Sequence, residues 1–283
     1  MHISQTAKGR LLIISTALLW GLAGVCVKSI PWSAFSIMSA RCMICILILS
    51  VSRRGRRLKI TKRNVAGAVM ESLTGILYMS SIKLTTAATA IVLQYTAPVF
   101  VFLYAVFVQK NKPRLRDILI LCTVFGGCVL SFADGLAPQN LLGNLLGLAS
   151  GMTFAGQIIF FGEKNEDADS GILLGNIISA VVCFPAFFFD RHLDFSTKTI
   201  FWVLVLGVFQ YGLANLCFAH GCTKLKKTET SLLLTIEPIF NPIPVWLVTG
   251  EIPGPLAIAG FFVVIAGITA YTLTRSASAA REQ

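Results

Sequence analysis

Charge is what this sequence has least of. Only 13% of its 283 residues are Asp, Glu, Lys or Arg, about half the roughly 25% of a water-soluble domain. That scarcity excludes a soluble enzyme, and a hydrophobic content of 55% excludes a disordered chain. Acids are the scarcer sign, 13 against 24 Lys and Arg, and there are only three His. No phosphate loop, nucleophile elbow or zinc signature occurs, so nothing points to ATP hydrolysis or other catalysis within the chain. The protein is expected not to be an enzyme and to need no cofactor or metal. Eight cysteines, at 26, 42, 45, 122, 128, 183, 217 and 222, lie within apolar stretches. They read as small buried hydrophobes, with Cys42 and Cys45 on one helix face, and not as a disulfide framework.

What is present is a series of apolar runs, at 11–30, 33–52, 64–83, 87–109, 115–133, 141–161, 171–189, 199–221, 229–249 and 255–274. About 20 apolar residues in a helix span a bilayer. The expected fold class is therefore an all-α membrane protein with ten transmembrane helices, which excludes a single-pass receptor. Lys8 and Arg10 precede the first run as they would in a signal peptide. No small-residue cleavage site follows closely, so this run is read as a helix.

The net charge of +11 has a topological explanation. With the N-terminus inside, the cytoplasmic segments hold Lys8, Arg10, Arg53, Arg54, Arg56, Arg57, Lys59, Lys62 and Arg63. They also hold Lys110, Lys112, Arg114, Arg116, Lys164, Lys224, Lys226, Lys227, Arg275 and Arg281. Lys28, Lys83, Arg191 and Lys198 fall outside, and Arg41 lies within a span. Nineteen cations against four is the positive-inside bias, and it puts both termini in the cytoplasm. The Arg53–Arg63 run is thus read as a headgroup-level topology signal and not as a nucleic-acid surface. The expected location is the plasma membrane, with the lipid bilayer as a partner and no nucleic acid.

The chain repeats itself at an offset of 140 residues. Leu93 and Leu233, Pro98 and Pro238, Phe100 and Phe240, Val108 and Val248, Pro113 and Pro253, Ile118 and Ile258, Val124 and Val264, and Gly127 and Gly267 coincide without a gap. The unit is five helices, an odd number, so the second copy enters the membrane from the opposite side. Inverted-topology repeats are a transporter architecture, with a substrate site near midplane where the halves meet. The expected domains are residues 1–134 and 135–274, followed by a cytoplasmic tail at 275–283.

These residues resemble the EamA-type, ten-helix branch of the drug/metabolite transporter superfamily, along nearly the whole chain. The matching elements are Leu18-Leu19-Trp20-Gly21, Arg41, Pro98-Val99-Phe100, Glu237-Pro238-Ile239-Phe240, the turn Gly250-Glu251, Gly126-Gly127 and Gly267. The first repeat departs from the pattern, with Lys110-Asn111 where the family often has Gly-Glu. The resemblance implies gradient-driven export of small metabolites, often amino acids, and leaves the substrate unnamed.

Ionisable groups inside a membrane are functional candidates. Arg41 and Glu71 lie at similar depth in neighbouring spans, either as a structural ion pair or as a coupling or gating pair. Glu237 precedes Pro238, with Asn241, Pro242 and Pro244 following. Proline removes backbone donors, and such a break is tolerated in a membrane only where it is buried or lines a wet cavity. A desolvated carboxylate there can carry a proton or accept an ammonium group. The equivalent helix has Gln94 and Tyr95 before Pro98, and an aromatic ring also accepts cations. Trp20, Tyr78 and Tyr211 are further aromatic groups deep in spans. Gln157, Gln210 and Asn215 offer hydrogen bonds between helices, and His220 reads as interfacial. Glycines 21 and 24, with 147, 151 and 156, mark close helix packing. Glu163, Glu166, Asp167 and Asp169 read as a solvated linker.

The function expected is secondary active transport of small polar metabolites, foremost the export of amino acids. A central cavity would be lined by the first, third, fourth, sixth, eighth and ninth spans. Glu237, Gln94, Tyr95, Trp20, Tyr78, Tyr211 and Asn241 are the substrate-binding candidates, and Glu71 and Arg41 the coupling or gating ones, with protons as a coupling ion. The alternatives are a carrier of organic cations, such as choline, polyamines or drugs, and a non-transporting membrane partner. Ten helices can enclose a cavity alone, so a monomer or weak homo-oligomer is expected.

Overall fold

A computed structural model describes residues 5–108, 110, 115–134, 140–161, 168–222, 224–225, 233–234, 236–252 and 254–281. Every extended regular element among them is helical: α1 (Gln5–Trp20), α2 (Ala23–Ser29), α3 (Ala34–Arg53), α4 (Lys62–Leu84), α5 (Ala87–Gln94), α6 (Ala97–Phe107), α7 (Leu115–Asp134) and α8 (Leu141–Phe161). Then follow α9 (Ala168–Cys183), α10 (Ala186–Phe189), α11 (Thr197–Leu204), a π-helical segment (Val205–Leu213), α12 (Ala214–Cys222), α13 (Ile236–Phe240), α14 (Pro242–Thr249) and α15 (Pro255–Arg281). Hydroxyl residues start several of them. The side chains of Ser33, Thr61, Thr86 and Ser196 accept the N–H of Ser36, Asn64, Thr89 and Thr199, satisfying donors that have no partner within the helix.

Seven helical stretches among the described residues are long and apolar enough to cross a membrane. They are Gln5–Ser29, Ala34–Arg53, Lys62–Leu84, Ala87–Tyr104, Leu141–Phe161, Ala168–Phe189 and Thr197–Gly221. A shorter apolar stretch, Ile258–Gly267, lies within α15. The other expected spans fall on α7, on α15, and on α13 with α14; the start of the 229–249 run lies outside the described residues. So do Asn111, Lys112, Arg114, Lys164, Lys226, Lys227 and, in the acidic linker, Glu163, Glu166 and Asp167.

Helix α4 sits at the centre, packed on α8, α9 and α3. Helix α1 packs on α12, α3 on the π segment, α5 and α6 on α8, α2 on α14, and α7 on α15. The glycines of α8 permit this closeness. A Cβ on Gly151 would lie 2.3 Å from Thr96 Oγ1 and 2.8 Å from the Leu93 carbonyl, so the backbones touch as small-residue faces allow. The core fills with Ile37, Met38, Met79, Ile82, Ile91, Leu93 and Leu206. Large apolar side chains such as Leu47, Val51, Phe107, Val181 and Phe188 face outward, the surface a bilayer would cover.

Polar clamps close both ends of the bundle. At one end, Lys28 Nζ meets Glu251 Oε2 at 2.8 Å and donates to the Thr85 carbonyl at 2.7 Å. Glu251 Oε1 accepts the Ala87 N–H at 2.7 Å, so the turn after α14 caps α5. Nearby, the Lys83 amino group donates to the Ile30 carbonyl. At the opposite end Arg53 pairs with Asp169 at 2.5 Å and donates to Ser170 Oγ at 3.0 Å. Arg53 is buried and ties α3 to α9, a structural role beyond the topology signal expected of it, and Asp169 is its partner and not a free linker charge. Non-glycine residues with positive φ are Arg54 and, at φ 56°, Lys110; Gly250, 140 positions after Lys110, has φ 71°.

Candidate functional site

The chain breaks its helices where the polar residues concentrate. Helix α13 carries Pro238 directly after Glu237. Asn241 joins it to α14, whose first residue, Pro242, lacks an N–H that a first helical turn would leave unpaired anyway. Between α5 and α6 the chain passes through Tyr95 and Thr96, and between α1 and α2 through Gly21 and Leu22. The three joints meet around Glu237. A Cβ on Gly21 would lie 2.7 Å from Phe240 Cδ1 and 3.4 Å from the Glu237 carbonyl, and one on Gly24 would lie 2.9 Å from Asn241 Oδ1. Only glycine lets α1 and α2 pass this close to the broken helix.

Glu237, Asn241, Gln94, Tyr95 and Tyr78 are all buried here. The Tyr95 hydroxyl donates to Glu237 Oε2 at 3.0 Å and lies 3.2 Å from the Leu234 carbonyl. Tyr78 faces Glu237 and interacts with the Asn241 amide outside the geometry of a well-formed hydrogen bond. Its hydroxyl, and both Oδ1 and Nδ2 of Asn241, are buried without partners among the described residues. Buried polar groups in folded proteins are almost all hydrogen-bonded, so three such atoms beside a carboxylate are donors and acceptors left open to a further group. The set offers one acid, two phenol hydroxyls and an amide that both donates and accepts, which suits a small solute carrying an ammonium group and a second polar group.

A second polar cluster lies between α3, α4, α9 and the π segment. Glu71 Oε1 accepts from Tyr211 Oη at 3.2 Å and from Asn176 Nδ2 at 3.3 Å. The Arg41 guanidinium sits 4.0 Å over the Tyr211 ring, and its Nε points at Met38 Sδ. Arg41 and Glu71 thus meet through Tyr211 without a direct ion pair. Both are buried.

The structure divides the candidates between these two clusters. Glu237, Asn241, Tyr95 and Tyr78 come together in the first; Glu71, Arg41 and Tyr211 form the second; Gln94 is buried beside Tyr95 in the chain, its carbonyl against Gly151. Trp20 ends α1, its ring on Phe218 at 5.4 Å and its carbonyl accepting from Gln210 at 3.4 Å. Among the hydrogen-bonding candidates, Asn215 reaches Cys45 Sγ at 3.9 Å, and exposed His220 lies 2.8 Å from the Leu216 carbonyl. Sequence reasoning missed Asn176. The signal was there: an amide in the middle of an apolar run, directly after Gly175, whose missing Cβ makes room for Glu71 Oε2. Among the described residues no three His, Cys, Asp or Glu converge as metal ligands.

Comparison with known proteins agrees with a transporter. An uncharacterized transporter from Archaeoglobus fulgidus is 24% identical over 266 residues, which cover 92% of this chain and 94% of the relative. A solved crystal structure shares the fold, with a TM-score of 0.67 at 17% identity over 95% of this chain and 98% of that one. The model of the EamA-like transporter family matches residues 7–133 and again residues 141–273. With both matches together spanning nearly its whole length, the chain belongs to the EamA-like transporter family, multi-span membrane proteins of the drug/metabolite transporter superfamily.

Proposed function

We propose that this protein is a secondary active transporter that moves small metabolites bearing an ammonium group, amino acids foremost, out of the cell across the plasma membrane. The observation that carries the reading is the orphaned set of Tyr78 Oη, Asn241 Oδ1 and Asn241 Nδ2 beside Glu237. A membrane partner with no cargo has no reason to leave such atoms unpaired in a packed interior. Glu237 takes the ammonium group, and Asn241 and the phenols of Tyr78 and Tyr95 take the second polar group.

Ten spans arranged as two inverted five-helix repeats, 1–134 and 135–274, supply the alternating access. Several observations support this arrangement. The family model matches twice in succession. Lys110 and Gly250 share a positive φ at the repeat offset of 140. The helix pairs also exchange correctly when each span is replaced by its repeat mate: α4 with α8 corresponds to α12 with α1, and α5 with α8 to α13 with α1. The distribution of Lys and Arg puts the Arg53 clamp inside and the Lys28–Glu251 clamp outside.

Proteoliposomes preloaded with amino acids, choline and polyamines, read by mass spectrometry with and without a pH gradient, test this reading. Selective loss of amino acids is the expected result. Glu237→Gln should lower that release by about a hundredfold, because a buried ammonium ion loses its counter-charge, with the purified protein still monodisperse. A fully active Gln variant removes Glu237 from the site. Loss of choline or polyamines alone favours a carrier of organic cations, a chemistry that one acid among aromatic rings also fits. No release of any solute would leave the non-transporting partner.

A further inference from the structure

The carboxylates at the ends of the bundle follow one rule. Glu251 receives Lys28 on Oε2 and the Ala87 N–H on Oε1. Asp190 receives the Ser33 N–H on Oδ2 and the His192 N–H on Oδ1. Asp169 receives Arg53 on Oδ2 and the Ser170 N–H on Oδ1. Donors on both oxygens are what an ionised carboxylate takes, since it can only accept.

Glu71 breaks the rule. Both of its donors converge on Oε1, while Oε2 is buried with no donor among the described residues. Oε2 faces backbone instead: the Cβ position of Gly175 lies 2.6 Å from it and 3.0 Å from the Ala68 carbonyl oxygen. Asn176 Oδ1, on the side chain that serves Oε1, likewise has no donor. One oxygen collecting both donors while the other receives none is the bonding pattern of a neutral carboxylic acid, whose hydroxyl oxygen carries its own proton.

The cation that would pair with an ionised Glu71 is close and otherwise engaged. The Cβ position of Gly75 lies 2.8 Å from Arg41 Nη2, and Gly75 is one turn along α4 from Glu71, about 6 Å of rise. Arg41 nevertheless stacks on Tyr211. The other groups facing Glu71 are Cys42 and Cys45 from α3, Tyr211 from the π segment and the neutral Asn176 from α9. Helices α5 and α8 contribute no titratable side chain. On α2, Lys28 is held by Glu251.

From this geometry we infer that Glu71 is a proton-binding site, separate from the Glu237 cluster, whose release of a proton transfers Arg41 from the Tyr211 ring to a direct ion pair with the carboxylate. In the protonated form Oε1 accepts from Tyr211 and Asn176, and Oε2 carries the proton. When that proton passes to water, the buried carboxylate needs a second donor, and Arg41 is the one within a side-chain rotation. Tyr211 and Asn176 belong to the second half of the chain, Glu71 and Arg41 to the first, so the exchange changes a contact between the halves. Its purpose, coupling a proton gradient to movement, rests on the transporter reading; its existence does not.

The test therefore uses the proton as its probe and no substrate. Full-length protein in lipid nanodiscs is titrated with pH while infrared difference spectra record the carboxylic-acid carbonyl band and the guanidinium bands. The expected result is a carboxylic-acid component that disappears as pH rises, together with a change in the guanidinium bands. Glu71→Gln removes that component, Glu237→Gln keeps it, and Arg41→Lys keeps it while abolishing the guanidinium change. A Glu71→Gln spectrum with the whole wild-type titration overturns the inference, as does a wild type with no titrating acid band. Should Glu71→Gln not elute as folded protein, Glu71→Asp must shift the frequency of the band, and an unshifted band overturns the inference equally. Proteoliposomes that release no solute would sink the transport reading and leave this spectrum to decide the proton site independently.

Discussion

Glu71 and Glu237 are both buried acids in an apolar bundle, and they differ in the helix beneath them. Glu71 stands on α4, an unbroken helix of 23 residues, and both donors it receives are side chains of neighbouring elements. Glu237 stands on α13 directly before Pro238, with Pro242, Pro244 and an Asn whose side-chain amide is left unpaired close behind, so several backbone donors are missing. On the continuous helix the donors converge on one carboxylate oxygen, an arrangement suited to a proton. A broken one yields an open set of donors and acceptors suited to a solute.

The sharpest way to break this comparison is to remove one phenol hydroxyl from each cluster. Tyr95→Phe should lower solute release tenfold or more, since a hydrogen bond to a charged group contributes about 1.5–3 kcal/mol. Tyr211→Phe should change release by less than about threefold at fixed pH and flatten its response to an imposed pH gradient. Equal loss in both variants, in proteoliposome efflux, would erase the distinction between the clusters.

Packing gives a second handle. Gly175→Ala presses a methyl group 2.6 Å from Glu71 Oε2 and 3.0 Å from a backbone carbonyl, which should destabilise the protein by about 1–3 kcal/mol. Gly24→Ala meets a side-chain methyl of Val245 at 2.8 Å and Asn241 Oδ1 at 2.9 Å. Both are side-chain atoms, which yield more readily than a backbone carbonyl, so the loss in thermal unfolding should be smaller. A larger loss for Gly24→Ala would mean the Glu237 region is the more rigid of the two.

Asp190, at the Lys28 end, supplies the contrast of an ordinary ionised acid. Partial burial works against its charge, but hydrogen bonds from the Ser36 hydroxyl and the Ser33 and His192 N–H groups hold its carboxyl below the usual carboxylate range. A group depressed in the folded state stabilises above its unfolded pKa, and that contribution fades as pH falls through the folded value. Asp190→Asn should therefore lower thermal stability slightly at neutral pH, by about 1 kcal/mol or less, and the difference should shrink as pH falls below the usual carboxylate range and through the lower folded value. A difference that persists in acid would mean that Asp190 acts through packing and not through charge.

Much of this was legible in the residues. The apolar runs end within a few positions of α3, α4 and α8, because a span must be apolar over its whole length. Glu237, Asn241 and Tyr95 stood out because proline and acid are both costly in hydrocarbon. Tyr211 was grouped with them, since an aromatic deep in a span carries no sign of which neighbour it faces. The tie from Arg53 to Asp169 was hidden for a related reason: at a helix end, a solvated charge and a buried one have the same local sequence.

The sequence by itself determined the membrane class, the family, the repeat offset and the residues able to bear charge or proton. All of these follow from composition and short spacings, which the chain carries whatever its neighbours are. Only the tertiary structure decided which acid meets which partner: Glu71 finds Asn176 across 105 residues and Tyr211 across 140, and Glu237 finds Tyr95 across 142. Helices α4 and α8 approach because glycines allow it, and the rotation of each about its own axis then settles which face is shared. Whether an oxygen receives a donor depends on fractions of an ångström in that packing, and no local pattern in the chain encodes such a distance.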